Sequence, residues 1–296
     1  MGKVVFREPD REGLSAAGFL GVDMHFHSDR SFDSLARIDH ALRRARKLGI
    51  GIAFTDHNEM SAGARFFNNA QKVFVIPGVE LTSSEGTHTL LYFSTARACR
   101  EFASRVLKPL KRKDPFKLPI TTEELYESAK EHQATVCAPH PFGPGVTGVH
   151  KIRITRAMER SLDCVEGVNA YATHEMNAKA VRWADRLKKP ITGGSDGHLV
   201  AELGQALTFC QAHDVHEFLD ELRRGHCISM GRENSLYEKA IVGVEKEESF
   251  VGRAHKRHEG IKLVKDQLGV EWSYLKQKVR KGWMHEEHAL FHTHHG

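Results

Sequence analysis

The sequence predicts an α/β fold in which short buried strands alternate with helices. Apolar runs such as GFLGVDM, IGIAF and ATVCAP are typical of strands, and segments of helical periodicity separate them. Almost every predicted strand adjoins a polar group rich in His, Asp or Glu. This alternation favours parallel strands joined by right-handed crossovers. In barrels of this class the functional site lies on the loops at the carboxyl ends of the strands, where these polar groups fall.

Four of the predicted strands lie in the first third of the chain. GFLGVDM delivers His25, IGIAF ends in the motif TDHN at residues 55–58, and VFVI leads into PGVE at residues 77–80. The strand HTLLYFS begins with His88. The helix SLARIDHALRRARKLG ends in a glycine stop, and a second helix is expected from Ala62 to Ala70.

The second half of the chain repeats this alternation. Thr121 and Glu124 form a capping box that predicts the start of the helix EELYESAKEH. ATVCAP is a strand that leads to His140, and CVEGVNAY is followed by another helix. PITGGSDGH places Asp196 and His198 two residues apart after a strand. GQALTFC and CISM are the last predicted strands, with the helix DVHEFLDELRRG between them.

Composition restricts the functional class. Of 296 residues, 40% are hydrophobic and 27% are charged, which is typical of a soluble globular protein. The charged N-terminal segment lacks the apolar core of a secretory signal, and no run reaches the roughly 18 apolar residues of a membrane span. The five cysteines are widely spaced and include no C-x-x-C. We therefore expect a cytoplasmic protein with reduced thiols and no membrane partner.

The positive charge is concentrated in an insertion between two predicted elements. From Arg97 to Lys117 eight Lys and Arg residues face two acidic ones. A basic segment beside an acidic metal-binding body is compatible with a phosphorylated substrate. A solvated basic helix explains the same composition equally well.

Nine potential metal ligands recur at the ends of the predicted strands. They are His25, His27, Asp33, His57, Glu80, His88, His140, Asp196 and His198. Residues two apart on a strand share a face, so the first two imidazoles can reach one ion. Six imidazoles and three carboxylates are too many to bury without partners, and one zinc needs only three or four ligands. The set predicts two or three divalent ions, with Glu80 bridging two, and its mixed ligands suit zinc, manganese or iron.

The order of these motifs resembles that of the PHP (polymerase and histidinol phosphatase) family. The resemblance rests on H-x-H, an Asp six residues later, T-D-H-N, P-G-V-E-L-T, A-P-H-P-F, V-E-G-V-N and G-S-D-G-H, and it covers about Gly21 to Arg232. It implies a distorted (β/α)7 TIM-like barrel, a trinuclear metal centre and phosphoesterase activity. The implied domain spans 21–232, with a basic insertion at 95–120. Residues 1–20 would be an N-terminal arm, and 233–296 a helical or partly disordered C-terminal extension.

The resemblance also assigns roles by motif. It implies a first metal on His25, His27, Glu80 and Asp196. It implies a second metal on Glu80, His88 and His140, and a third on Asp33, His57 and His198. A hydroxide bridging two metals would be the nucleophile, and the residues expected to be catalytic are Glu80, Asp196 and His198. Three further residues are expected to orient ligands or substrate: Asp56, Glu166 and Asn169.

The leading functional hypothesis is a metal-dependent phosphoesterase that hydrolyses a phosphomonoester, either a small metabolite or a nucleotide. The first alternative is an exonuclease-type phosphodiesterase acting on 5′-phosphorylated oligonucleotides. An amidohydrolase-type barrel also begins with H-x-H, but it usually bridges its metals through a lysine, where this chain has Glu80. The alternative from another class is a non-catalytic, metal-stabilised scaffold. Its degenerate members would have lost ligands, whereas all nine are present here.

Overall fold

A single ten-stranded sheet organises the computed structural model, which describes residues 2–111, 116–143 and 147–235. The extension predicted beyond residue 235 lies outside the described residues. The strands are β1 (Lys3–Phe6), β2 (Leu20–Phe26), β3 (Gly51–Phe54), β4 (Val75–Thr82), β5 (His88–Tyr92), β6 (Thr135–Ala138), β7 (Cys164–Asn169), β8 (Ile191–Gly194), β9 (Ala206–Cys210) and β10 (Cys227–Gly231).

Helices connect most of these strands. They are α1 (Arg11–Ala16), α2 (Ile38–Leu48), α3 (Ser61–Phe66), α4 (Ala96–Phe102), α5 (Lys108–Leu110), α6 (Thr122–Glu131), α7 (Arg156–Ser161), α8 (His174–Leu187) and α9 (Val215–Arg224). A π-helical turn, Ala103–Leu107, joins α4 to α5. The predicted capping box is present at the start of α6, where Thr121 and Glu124 cap each other's backbone. The glycine stop of α2 is Gly49, which adopts a left-handed conformation with φ of 65°.

The sheet curls into a nearly closed barrel. Its strand order is β1-β10-β9-β2-β3-β4-β5-β6-β7-β8. The segment after β8 returns to β2, where the amide of Asp196 donates to the carbonyl of His25 at 2.8 Å and the amide of His27 donates to that of Gly197 at 2.9 Å. These bonds join the β8 end of the sheet to β2, which is an interior strand in this order. The predicted α/β barrel is therefore confirmed.

Two strands run against the expected parallel direction. β5 pairs antiparallel with β4 and β6, and β9 pairs antiparallel with β2 and β10. The first reversal arises because β4 and β5 are joined by a short turn, too short for a crossover helix. It has a functional consequence. The amino end of β5, and with it His88, meets the carboxyl ends of the parallel strands.

Several element bounds differ from the predicted ones, including the start of α2 at Ile38 and the end of β5 at Tyr92. β4 extends through Thr82, so Glu80 lies within the strand and not after it. α3 ends at Phe66, short of the predicted Ala70. Residues 3–6 of the expected N-terminal arm form β1, which pairs in parallel with β10. The sequence KVVF is short and half exposed, and a pattern of that length has little predictive weight.

Apolar side chains fill both sides of the barrel wall. The outward side chains of β4, β5, β6 and β7 pack against α4, α6, α7 and α8. Inward residues such as Met24, Ala53 and Leu90 pack against the apolar face of α9. The ring of Phe218 on α9 lies 5.9 Å from that of Phe74, which directly precedes β4. Helix α9 therefore closes the amino end of the barrel and leaves the carboxyl end open for polar residues.

A hydrogen bond across the barrel interior gives the first prediction. The hydroxyl of Tyr92 on β5 donates to the carbonyl of Met24 on β2 at 2.8 Å, and both residues are fully buried. Tyr92→Phe keeps the ring but leaves this carbonyl without its donor, which should lower the free energy of unfolding by about 1–3 kcal/mol. Urea denaturation measures the loss. Tyr92→Leu also removes ring packing and should cost more, and equal stability of wild type and Tyr92→Phe would contradict the prediction.

Candidate metal centre

Nine side chains converge at the open, carboxyl end of the barrel. The first two come from the end of β2, the third from the loop after it, and the others from the ends of β3, β4, β5, β6 and β8. They are His25, His27, Asp33, His57, Glu80, His88, His140, Asp196 and His198. Within the described ranges, every group of His, Cys, Asp and Glu side chains close enough to share a metal ion consists of these nine residues.

Four of the ligand atoms lie close to one another beside the end of β2. Nε2 of His25 and Nε2 of His27 are 3.1 Å apart. Each nitrogen lies 3.4 Å from Oε2 of Glu80 and 3.4–3.5 Å from Oδ1 of Asp196. A tetrahedral ion bound at about 2.0 Å keeps its ligand atoms about 3.3 Å apart. The spacing of this group therefore fits a divalent metal.

The second oxygen of Glu80 faces two further imidazoles. Its Oε1 lies 2.9 Å from Nδ1 of His88 and 3.1 Å from Nε2 of His140. One carboxylate thus contacts histidines on both of its sides, with β4 between the contributing strands. This is the geometry of a bridging ligand, and no lysine is needed for it.

The last group consists of two histidines around the carboxylate of Asp33. Its Oδ2 lies 2.9 Å from Nε2 of His198 and 3.5 Å from Nε2 of His57. The other ring nitrogen of His57, Nδ1, is buried without a hydrogen bond and lies 3.2 Å from Oε2 of Glu80. A buried nitrogen without a hydrogen bond among carboxylates suits a metal ligand, since an unsatisfied polar atom is otherwise costly. The donor set as a whole therefore fits metal ions.

Electrostatics keep the carboxylates charged. Burial would raise the pKa of Glu80, but the neighbouring His88, His25 and His57 outweigh it and hold that pKa well below its usual value. Burial would likewise raise the pKa of Asp196, but His25, His27 and His140 outweigh it and hold that pKa well below its usual value. Burial, followed by repulsion from His198 and His57, lowers the pKa of His27 to about 3. This imidazole is therefore neutral near pH 7, as a metal ligand must be.

Glu166 on β7 connects three parts of the cluster. Its Oε1 lies 3.0 Å from Nδ1 of His25, and its Oε2 accepts hydrogen bonds from the amide of His140 at 2.8 Å and from the side chain of Asn169 at 2.9 Å. Asn169 also donates to Oδ2 of Asp196 at 3.2 Å. Both residues contact the cluster, and Glu166 holds the ring of His25 with Nε2 directed at it.

Asp56 and Asp23 hold the backbone beside the cluster. Asp56 accepts hydrogen bonds from both the amide and the hydroxyl of Ser28, and burial raises its pKa to about 7. Asp23, which the sequence reasoning missed, accepts from the amides of Ser195 and Gly204 at 2.9 Å each. It stands two residues before His25 in an otherwise apolar run. A buried carboxylate within a strand is the signal that could have identified it.

Backbone conformation at the cluster is constrained. His140 and Asp196 have φ of 26° and 52°, in the left-handed region that residues other than Gly rarely adopt. Gly194 lets β8 approach β2, because a Cβ there would lie 2.4 Å from Cβ of His25 and 2.9 Å from Oε1 of Glu166. The histidine and its orienting carboxylate therefore require glycine at this position.

Comparison with known proteins shows which fold the chain resembles. Residues 174–227 match the sequence model of the PHP-associated family (PHP_C). A two-domain Bacteroides vulgatus protein, described as containing a predicted PHP-like metal-dependent phosphoesterase, superposes with a TM-score of 0.54 at 17% identity, over 78% of this chain and 69% of that one. The chain has a PHP-like barrel. The resemblance seen in the motifs is thereby confirmed for the fold.

Two further proteins match parts of this chain, one in structure and one in sequence. Endonuclease Q, in a complex with a 27-mer duplex substrate that carries an abasic lesion at the active site, superposes with a TM-score of 0.60 at 19% identity. That match covers 73% of this chain and 60% of Endonuclease Q. An error-prone DNA polymerase from Symbiobacterium thermophilum is 39% identical over 74 residues, which are 24% of this chain and 7% of the polymerase. The chain thus matches only a small part of the polymerase.

The contacts of Glu166 give the second prediction. Glu166→Gln leaves one oxygen where two are needed, since one side of the carboxylate faces His25 and the other faces the amide of His140. Metal affinity should fall by about 10–100-fold because the ligand ring loses its fixed orientation. Titration of the stripped protein with Mn²⁺ or Zn²⁺, followed calorimetrically, measures this.

The matched control is Glu175→Gln, an exposed carboxylate of α8 that pairs with Lys179 outside the cluster. It should bind metal as wild type does. Unchanged metal affinity in Glu166→Gln would show that His25 keeps its orientation without this carboxylate.

Proposed function

We propose that the chain is a metal-dependent phosphoesterase that hydrolyses a phosphomonoester, either a small metabolite or a nucleotide. The observation that carries this proposal is the position of Glu80, whose two oxygens face separate sets of histidines inside the cluster. Two or three divalent ions of the zinc, manganese or iron type would supply an activated water and neutralise charge on the transferred phosphoryl group.

The contacts among the nine residues suggest how they would be distributed over separate metal sites. We assign a first site to His25, His27, Glu80 and Asp196, and a second to Glu80, His88 and His140. A third site would use Asp33, His57 and His198. Within this arrangement Glu80, Asp196 and His198 are the proposed catalytic residues. The imidazole of His198 places Nδ1 2.9 Å from the carbonyl of Asp196, which fixes Nε2 against Asp33.

The third prediction tests Glu80. Glu80→Gln removes a negative charge and one ligand oxygen between two proposed sites, so turnover of p-nitrophenyl phosphate with Mn²⁺ should fall about a thousandfold. Elemental analysis should show fewer ions per chain than in wild type. Glu175→Gln, matched in chemistry but exposed on α8, should retain wild-type turnover and metal content.

Wild-type turnover in Glu80→Gln would refute the catalytic assignment. A protein that binds two or three ions but hydrolyses no phosphoester would instead support the scaffold alternative.

A second candidate function is cleavage of 5′-phosphorylated oligonucleotides, and one surface feature favours it. A cleft of about 550 Å³ lies between α3 and the α4–α5 segment, with an apolar floor and four basic residues around it: Arg65, Arg100, Lys108 and Lys111. Lys111 pairs at 3.0 Å with Glu59, two residues after His57. The cleft therefore lies beside the segment that carries a proposed metal ligand, where backbone phosphates of a longer substrate would find cations. The similarity to Endonuclease Q is consistent with such a substrate.

The fourth prediction decides between these candidates. If oligonucleotides are substrates, the double variant Arg65→Ala/Lys108→Ala should lower kcat/KM for a 5′-phosphorylated single strand. A plot of log kcat/KM against the logarithm of the salt concentration should become less steep, by about 0.7 in slope for each lost phosphate contact. Turnover of p-nitrophenyl phosphate should not change. Lys47→Ala on α2 is the matched control, and absence of oligonucleotide cleavage by wild type would remove this candidate.

We further propose a cytoplasmic location, which the cysteines support. All five are buried and free of disulfide bonds, as expected in a reducing compartment. Among the described helices, none is both long and apolar enough to cross a membrane.

A further inference from the structure

Two phenylalanine rings form a corner beside the metal cluster. The ring of Phe32 stacks on that of His57, with centroids 5.1 Å apart and planes inclined by 24°. The ring of Phe116 meets Phe32 nearly perpendicularly, at 4.9 Å and 89°. Both phenylalanines are half-buried. We call these two rings the aromatic corner.

The aromatic corner is held in place from both sides. Phe32 directly precedes Asp33, whose side chain contacts His198 and His57. The carbonyl of Phe116 accepts a hydrogen bond from the side chain of Asn58 at 3.0 Å. The amide of Leu118 donates to the carbonyl of Thr82 on β4 at 2.9 Å. The corner is thus fixed to the same strand ends that position the cluster.

The corner lies next to an accessible side of the cluster. His25, His27 and Glu80 are almost completely buried, whereas the side chain of Asp33, next to Phe32, retains 17% of its exposure, the largest value among the nine. A substrate whose phosphate reaches the cluster along this side extends its leaving group past Phe32. Two adjacent half-buried phenylalanines beside this polar cluster present apolar surface that a bound ligand can cover.

We propose that the aromatic corner is a specificity subsite for substrates whose leaving group contains a planar ring, such as a nucleoside. The inference rests on the proposed phosphoesterase function and narrows its substrate class. The corner already contains one stacked and one perpendicular ring contact, the two arrangements that aromatic pairs prefer, and a planar leaving group can extend this aromatic cluster. The corner gives no hydrogen bonds from its rings, so a sugar or other polyhydroxyl leaving group gains little from it.

The test compares two substrates that differ in the leaving group. Phe32→Leu and Phe116→Leu keep apolar bulk but remove the ring, and both should lower kcat/KM for adenosine 5′-monophosphate about tenfold, mostly through KM. For glycerol 3-phosphate, which has no ring, kcat/KM should stay within about twofold of wild type. Phe32→Tyr retains a ring and should restore the preference for the nucleotide.

Phe66→Leu is the matched control, because Phe66 is a half-buried phenylalanine of α3 that packs in the core. It should leave the ratio of the two kcat/KM values unchanged. An equal fall for both substrates in the corner variants would mean that the rings only support His57, and wild-type kcat/KM for both substrates would mean that the rings contact no substrate. Either result overturns the proposal.

Binding measurements distinguish a failure of the proposed phosphoesterase function from a failure of the aromatic-corner proposal. If the metal-loaded wild type turns over neither substrate, calorimetry still compares its affinity for the two phosphates. A preference for the nucleotide that disappears in Phe32→Leu supports the corner without catalysis, and equal affinities in wild type refute it.

Discussion

Glu80 is 1% exposed, yet both of its carboxylate oxygens face imidazole nitrogens from other strands. A buried carboxylate is tolerated only when charge or hydrogen bonds compensate its desolvation. Here the compensation comes from histidines on β2, β5 and the loops after β3 and β6, which must approach to within about 3 Å. The barrel therefore has to bring five chain segments to one point, and most of its local irregularities serve that requirement.

The reversal of β5 is one of these irregularities. A strictly parallel β5 would carry its first residue to the closed end of the barrel, beside α9, and His88 could not contact Glu80. In the antiparallel arrangement Thr82 lies opposite His88 in register, and Glu80 lies two residues away along the same strand. The short turn between β4 and β5 thus supplies a ligand that a crossover helix would have placed elsewhere.

Much of this centre was predictable because ligand chemistry and strand periodicity are both local. The H-x-H pair at His25 and the D-G-H pair at Asp196 follow apolar runs, and parallel strands bring such ends together. The reversed strands were not predictable in the same way, since a short apolar run has no intrinsic direction. Phe116 was missed for a related reason. Its place beside Phe32 depends on hydrogen bonds to Asn58, which lies 58 residues earlier in the chain.

Beyond the nine side chains, four buried carboxylates hold backbone amides of the loops that bear them. Glu166 accepts from the amide of His140, Asp56 from that of Ser28, and Asp23 from that of Ser195. The fourth, Glu202, accepts from the amide of His198 at 2.8 Å. Each bond fixes a loop through its backbone and so adds to the contacts that the nine side chains make with one another. Because like-charged groups crowd the cluster, this additional support explains how strained residues such as His140 and Asp196 stay in place.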